Sequence, residues 1–232
     1  MNNPDIAKRY EDIKNRIAAA VKKAPNPKED ISLVCVSKQV DAQRINEAIA
    51  AGVRLLGESR AQEVSKKHPS LDKRDELKIH FIGHMQTNKV GKIVQIADVF
   101  QSVDSLRLIE EINRQCGILQ KKGEIFIQVK PLEDPAKFGI DPGDLPMLLR
   151  EIGQFPHIFV TGLMAILPFG LCEGEMRAAF RRMYQLYIDT KGKKYDNVSM
   201  DFLSMGMSGD FEIAIEEGAN MVRVGSLLFG KR

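Results

Sequence analysis

A chain of 232 residues, 44% of them hydrophobic, is long enough to enclose a large core, and it suits one α/β-barrel domain spanning residues 1–232. Lys and Arg total 34 against 31 Asp and Glu, and the basic residues are scattered over presumed helices instead of forming a stripe, which argues against nucleic acid as a partner. Cys35, Cys116 and Cys172 are far apart and form no CxxC pair, and no apolar run reaches membrane-spanning length, so free thiols in a cytoplasmic protein are expected and secretion or membrane insertion is not.

The pattern predicts a leading helix over residues 4–23. Asn3 suits its cap, Pro4 its first position, and Ile6, Tyr10, Ile13, Ile17 and Val21 recur at helical spacing until Pro25 and Pro27 end it. Eight short apolar runs follow: Ile31 to Val36, Val53 to Leu56, Ile79 to Ile82, Val99 to Val103, Ile125 to Val129, Ile158 to Ile166, Val198 to Leu203 and Met221 to Phe229. Amphipathic segments separate them, most clearly 41–51 (Ile45, Ala48, Ile49) and 105–120 (Leu106, Ile109, Ile112). Nearly continuous apolar strands alternating with helices predict a parallel sheet covered on both faces, and eight units predict closure into a (β/α)₈ barrel. An open doubly wound sheet is the alternative, but the first strand ends in Val36-Ser37-Lys38 and lacks the glycine-rich turn that such folds often carry. The connection 130–144, rich in proline and glycine, reads as a flap.

In such a barrel the site lies at the C-terminal ends of the strands, where the end of this chain is the most distinctive. The strand Asp201-Phe202-Leu203-Ser204-Met205 runs into Gly206, Ser208 and Gly209 and then into a helix with Phe211, Ile213, Ala214 and Ile215, closing near Gly218. Glycine backbone N–H groups, a serine hydroxyl and a helix start are suited to a phosphate, although a plain strand-to-helix turn has the same composition. Arg223 alternates with Val222 and Val224, so it points away from them and needs an anion or a buried carboxylate such as Asp201. Lys38 shares its strand face with Val34 and Val36. It reads equally as a desolvated, nucleophilic amine or as a lysine reaching from the rim into water. A lysine and a phosphate cup in one mouth suggest pyridoxal phosphate or a sugar-phosphate aldehyde. His80 and His84 lie on or just after a strand without neighbouring acidic or thiol ligands, so no metal is expected there, and His68 and His157 are expected to face solvent.

Several segments together resemble the pyridoxal phosphate homeostasis proteins, a family related in fold to the N-terminal domain of alanine racemase. They are Val36-Ser37-Lys38, Gly57-Glu58-Ser59-Arg60-Ala61-Gln62-Glu63, His80-Phe81-Ile82-Gly83 with Gln86, Asn88 and Lys89, Ser102-Val103-Asp104, Lys137-Phe138-Gly139, Gly162-Leu163-Met164, Ser204 to Asp210, and Arg223-Val224-Gly225. The resemblance implies a fold-type III barrel with an extra N-terminal helix and without the C-terminal β domain, and pyridoxal 5'-phosphate as cofactor. It assigns Lys38 to the internal aldimine, and Ser208 with the backbone of Gly209, Gly225 and Ser226 to the phosphate. Arg223 is placed at the pyridine nitrogen or the phosphate edge, and Met205 and Ser59 complete the expected binding set. The family motif usually reads Gly-Glu-Asn, so Ser59 offers a shorter hydroxyl where an amide is common.

By the same resemblance an arginine beside the ring nitrogen disfavours the pyridinium and weakens the ring as an electron sink. Racemisation needs a proton donor or acceptor on each face of the substrate, and in the related racemases one is a tyrosine of an additional domain. Here the chain is read as stopping after its eighth strand, with Tyr10, Tyr184, Tyr187 and Tyr195 away from the mouth. A carrier that holds the cofactor and delivers it to apo-enzymes, as a monomer or weak homodimer, is therefore expected. A racemase-like enzyme is the alternative, followed by a class I aldolase and a protein-docking module.

Overall fold

Eight parallel strands close on themselves in sequence order: β1 Ser32–Val36, β2 Leu55–Glu58, β3 Lys78–Phe81, β4 Val99–Val103, β5 Gly123–Gln128, β6 Ile158–Met164, β7 Val198–Ser204 and β8 Met221–Val224. The seam is β8 against β1, paired from Ser32 with Met221 to Cys35 with Val224. The structure, a computed structural model, describes residues 5–28, 30–133 and 138–230. The helices are α1 Ile6–Lys23, α2 Ala42–Ala50, α3 Ala61–Lys67, α4 Val90–Val94, α5 Leu106–Ile118, α6 Leu145–Glu151, α7 Glu173–Lys191, α8 Phe211–Glu216 and α9 Ser226–Phe229.

Strand alternation sorts the apolar residues into two shells. Cys35, Leu56, Ile79, Phe100, Ile125, Ile127, Leu203, Val222 and Val224 belong to the large core under the helices. Val34, Val99, Phe126, Met164 and Met221 form a separate plug along the barrel axis. The helices bury one stripe each against the outer shell, Ile45, Ala48 and Ile49 on α2 and Leu108, Ile109, Ile112 and Cys116 on α5. Helix α1 buries Ile6, Ile13, Ile17 and Ala20 and packs on α2, α8 and α9, so it covers the seam where the last βα unit meets the first.

Several boundaries shift from the sequence reading, three of them in ways that bear on the fold. Asn3 and Pro4 lie outside the described residues, and Asp5 fills the N-cap of α1, its Oδ1 accepting the Ala7 N–H at 3.1 Å. The second strand runs two residues later than the apolar run suggests and takes in Gly57 and Glu58. Glycine fits there because the axis is already full: a Cβ at Gly57 would lie 2.9 Å from Val34 Cγ1. The last run is not one strand, since β8 ends at Val224 and Ser226–Phe229 turns into a helix that buries Leu228 and Phe229.

Candidate functional site

The end of β7 and the end of β8 are tied into one unit. Met205 N–H bonds Met221 O at 3.1 Å, and Arg223 N–H bonds Gly206 O at 3.0 Å. Gly206 has φ 91, a left-handed value that glycine adopts without strain. Beyond it Met207 N–H donates to Asp210 Oδ1 at 2.5 Å, and the Asp210 N–H returns to Met207 O at 3.1 Å, closing a tight turn. Ser208 Oγ accepts the Gly225 N–H at 3.2 Å, joining the two junctions. Because that bond uses only a lone pair, the Ser208 hydroxyl hydrogen is left to donate to an anion. Gly209 and Ser226 are exposed beside it, and a Cβ at Gly209 would meet no atom within 4 Å. Open space bordered by a hydroxyl and glycine backbone fits a phosphate group.

Arg223 is 3% exposed and points into the barrel, as its alternation with two valines requires. It does not pair with Asp201, which is exposed and bonded to Ser199. Instead Nη1 donates to Ser204 O at 2.8 Å and to Ser204 Oγ at 2.7 Å, and Nη2 donates to Ala165 O at 2.8 Å. Burial pulls the guanidinium down to about 10, partly offset by the Asp210 carboxylate, so it stays cationic at neutral pH. Burial in turn raises the Asp210 carboxyl, opposed by its Met207 N–H bond and by Arg223.

The guanidinium sets the direction of a hydrogen-bond chain across the barrel. It can only donate, so Ser204 Oγ accepts from it and passes its own hydrogen to Gln101 Oε1 at 2.7 Å. The Gln101 amide nitrogen then faces His80 Nδ1 at 2.6 Å and Met221 Sδ at 3.2 Å. An amide nitrogen donates, so Nδ1 is the acceptor and the His80 proton sits on Nε2, which is buried without a partner among the described residues. Desolvation, with a smaller contribution from Lys78, pushes His80 down to about 3.

Of the two readings left open for Lys38, the structure matches the lysine at the rim. β1 stops at Val36, and Lys38 stands in the following turn with its side chain exposed, not against the apolar interior. The turn closes with Val40 N–H on Ser37 O at 3.1 Å, and Gln39 is left-handed at φ 58. Since β1 pairs with β8 on one side and β2 on the other, Lys38, Arg223, Ser208, Gly209, Gly225 and Ser226 share one arc of the rim from β7 to β1.

Two expected residues stand apart. Met205 is fully buried in the outer core, so its side chain does not line the mouth. Ser59 is half-buried at the β2 rim, where with Arg60, Lys66, His84 and Lys89 it lines a cleft of about 540 Å³. The flap crosses nearby: Phe138 stacks on His84 with ring centres 3.8 Å apart, and Gln128 Nε2 donates to Phe138 O at 3.0 Å. Lys137 lies outside the described residues. His68 and His157 are half-buried instead of facing solvent.

Sequence reasoning missed two groups. Neither Gln101 nor Lys67 was singled out, although Ser204 was named at the end of its strand. Lys67 is in fact 9% exposed and reaches Glu58 Oε1 at 2.6 Å. Only the inward parity of Gln101 within an apolar strand signalled its burial.

Fold and rim together define a (β/α)₈ barrel of the alanine racemase N-terminal type, and the profile of the "Alanine racemase, N-terminal domain" family matches residues 9–232. The pyridoxal phosphate homeostasis protein of Aquifex aeolicus is 36% identical over 228 residues, covering 98% of this chain and 99% of that protein. Its counterpart in Escherichia coli K12 is 33% identical over 230 residues, covering 98% and 97%. This chain belongs to the family of pyridoxal phosphate homeostasis proteins. Among solved structures, PipY of Synechococcus elongatus without pyridoxal phosphate superposes with a TM-score of 0.87 at 36% identity, covering 97% of this chain and all of that one. PipY with pyridoxal phosphate bound gives 0.84 at 33% identity with the same coverage. Alanine racemase of Clostridium difficile matches at 0.71 with 17% identity over 94% of this chain and 58% of its own, a likeness of fold alone.

Proposed function

We propose that this chain binds pyridoxal 5'-phosphate on the β7–β8–β1 arc, links it covalently to Lys38, and holds and releases it to apo-enzymes of the cytoplasm with little catalysis of its own. The observation that carries this reading is the joined β7–β8 rim. Ser208 fastens both junctions and keeps a hydroxyl hydrogen to donate, beside open space at Gly209 and a buried arginine that hydrogen-bonds carbonyls and a hydroxyl. A relative solved with the same ligand supports it.

Ser208 and the backbone of Gly209, Gly225 and Ser226 would hold the phosphate, and Arg223 would keep positive charge at the mouth. The bound group supplies an aldehyde. Lys38 would supply the amine for a reversible C=N link to the aldehyde carbon, with one water released. Exposure of Lys38 at the rim suits a reversible link, because water and acceptor amines can reach it. The tyrosines serve packing: Tyr10 is on α1, Tyr184 and Tyr187 are on α7, Tyr195 precedes β7, and Tyr187 donates to Met200 O at 2.9 Å.

The test is a titration of the purified protein with pyridoxal phosphate, read as visible absorbance, followed by incubation with single amino-acid enantiomers. A yellow, saturable band with negligible racemisation, elimination or transamination is expected. Robust turnover that disappears in Lys38→Ala would establish an enzyme instead.

A further inference from the structure

Lys38 is exposed, yet the residues on either side of it are held from β2 and α3. Lys67 Nζ spends its three hydrogens on Ser37 O at 2.7 Å, Glu58 Oε1 at 2.6 Å and Glu63 Oε1 at 3.1 Å. Ser37 Oγ donates to Glu58 Oε1, and the Gln39 N–H donates to Glu63 Oε1. Residue 37 is thus fixed through its carbonyl and its hydroxyl, and residue 39, in a left-handed conformation that a non-glycine adopts only under constraint, is fixed through its N–H. We propose that Glu58, Glu63 and Lys67 are positioning residues that clamp the Ser37–Gln39 turn and so present the Lys38 amine to the phosphate cradle on β7 and β8.

The chemistry favours this over a role in stability alone. Glu58 is 1% and Lys67 9% exposed, and Glu58 Oε2 is buried with no partner among the described residues. A buried ion cluster with an unmatched oxygen is a poor source of stability, since apolar side chains of similar volume do as well. What the cluster provides is one fixed geometry for a turn whose other side is solvent. Covalent attachment of a ligand already anchored by its phosphate depends on that geometry, because a misplaced amine meets the aldehyde carbon less often.

The proposal rests on the function given above, and the experiment separates the two. Pyridoxal phosphate is mixed with wild type, Glu63→Ala, Glu63→Gln and Lys67→Met, and the rate and final extent of the visible band of lysine-bound cofactor are recorded. Non-covalent affinity is measured for each substitution in a Lys38→Ala background. Glu63 is part-exposed, so its variants report even if Lys67→Met fails to fold. The clamp predicts that Glu63→Ala slows band formation by about tenfold or more, that Glu63→Gln, which keeps an acceptor oxygen for the Gln39 N–H, recovers most of the rate, and that non-covalent affinity stays within about twofold. A wild-type rate in Glu63→Ala, or an equal loss in the Lys38→Ala background, overturns the clamp while the functional reading stands. A wild-type protein that gives no band overturns both.

Discussion

Arg223 and His80 stand at opposite ends of one buried chain, and each is kept in a single protonation state by where it lies. Arg223 remains charged because carbonyls and a hydroxyl take its hydrogens, whereas His80 remains neutral because desolvation opposes its charge. An unfolded histidine takes a proton below about 6.5, but the buried one does so only near 3. The depressed value means that stability present above pH 6.5 is lost as pH falls through that window, by up to about 1.4 kcal/mol for each pH unit. His80→Phe should therefore flatten the acid limb of the urea-derived stability curve between pH 6.5 and 3, relative to wild type. At the rim, if Ser208 holds the phosphate as proposed, Ser208→Ala would remove a donor to a charged group and cost about 1.5–3 kcal/mol of binding, roughly ten- to a hundredfold in dialysis against pyridoxal phosphate. The sequence made Ser208 and the inward Arg223 visible through glycine spacing and strand parity. It hid the carbonyl partners of Arg223, because backbone acceptors leave no trace in side-chain identity.

Among the elements, the β7–β8 junctions show how one glycine serves the backbone and another serves open space. At Gly206 a Cβ would lie 2.5 Å from the Ala214 Cβ at φ 91, so Gly206→Ala should lose about 2–4 kcal/mol in urea unfolding. At Gly209 a Cβ meets nothing, so Gly209→Ala should leave unfolding within about 0.5 kcal/mol of wild type. It should nonetheless weaken binding if that space receives the phosphate, and an unchanged affinity would move the phosphate elsewhere. The β1 turn was harder to read. Parity continued past Val36 placed Lys38 on the inner face, but the strand ends there and a turn fastened by Lys67 and Glu63 redirects the chain. Alternation is informative only while the ladder lasts, and the residues that end it lie 25 or more positions downstream.

At the scale of the whole molecule, eight apolar runs were sufficient to predict closure, because each strand of a parallel barrel is buried on both faces. The two-shell division was also implicit in alternation, whereas the placement of α1 over the β8–β1 seam was not, since an amphipathic stripe does not say which neighbours it covers. Ile13 is 2% exposed beneath that helix, so Ile13→Ala should cost about 2–5 kcal/mol and lower the unfolding midpoint. Closure of the seam is what brings Lys38 on the first unit beside the cradle on the last, and the central claim is that these two parts hold one molecule. Borohydride reduction of the protein loaded with pyridoxal phosphate, followed by digestion and mass spectrometry, tests this directly. A pyridoxyl adduct confined to Lys38, at one per chain, is predicted; an adduct on Lys66, Lys89 or Lys130 with Lys38 unmodified, or none at all, would contradict it.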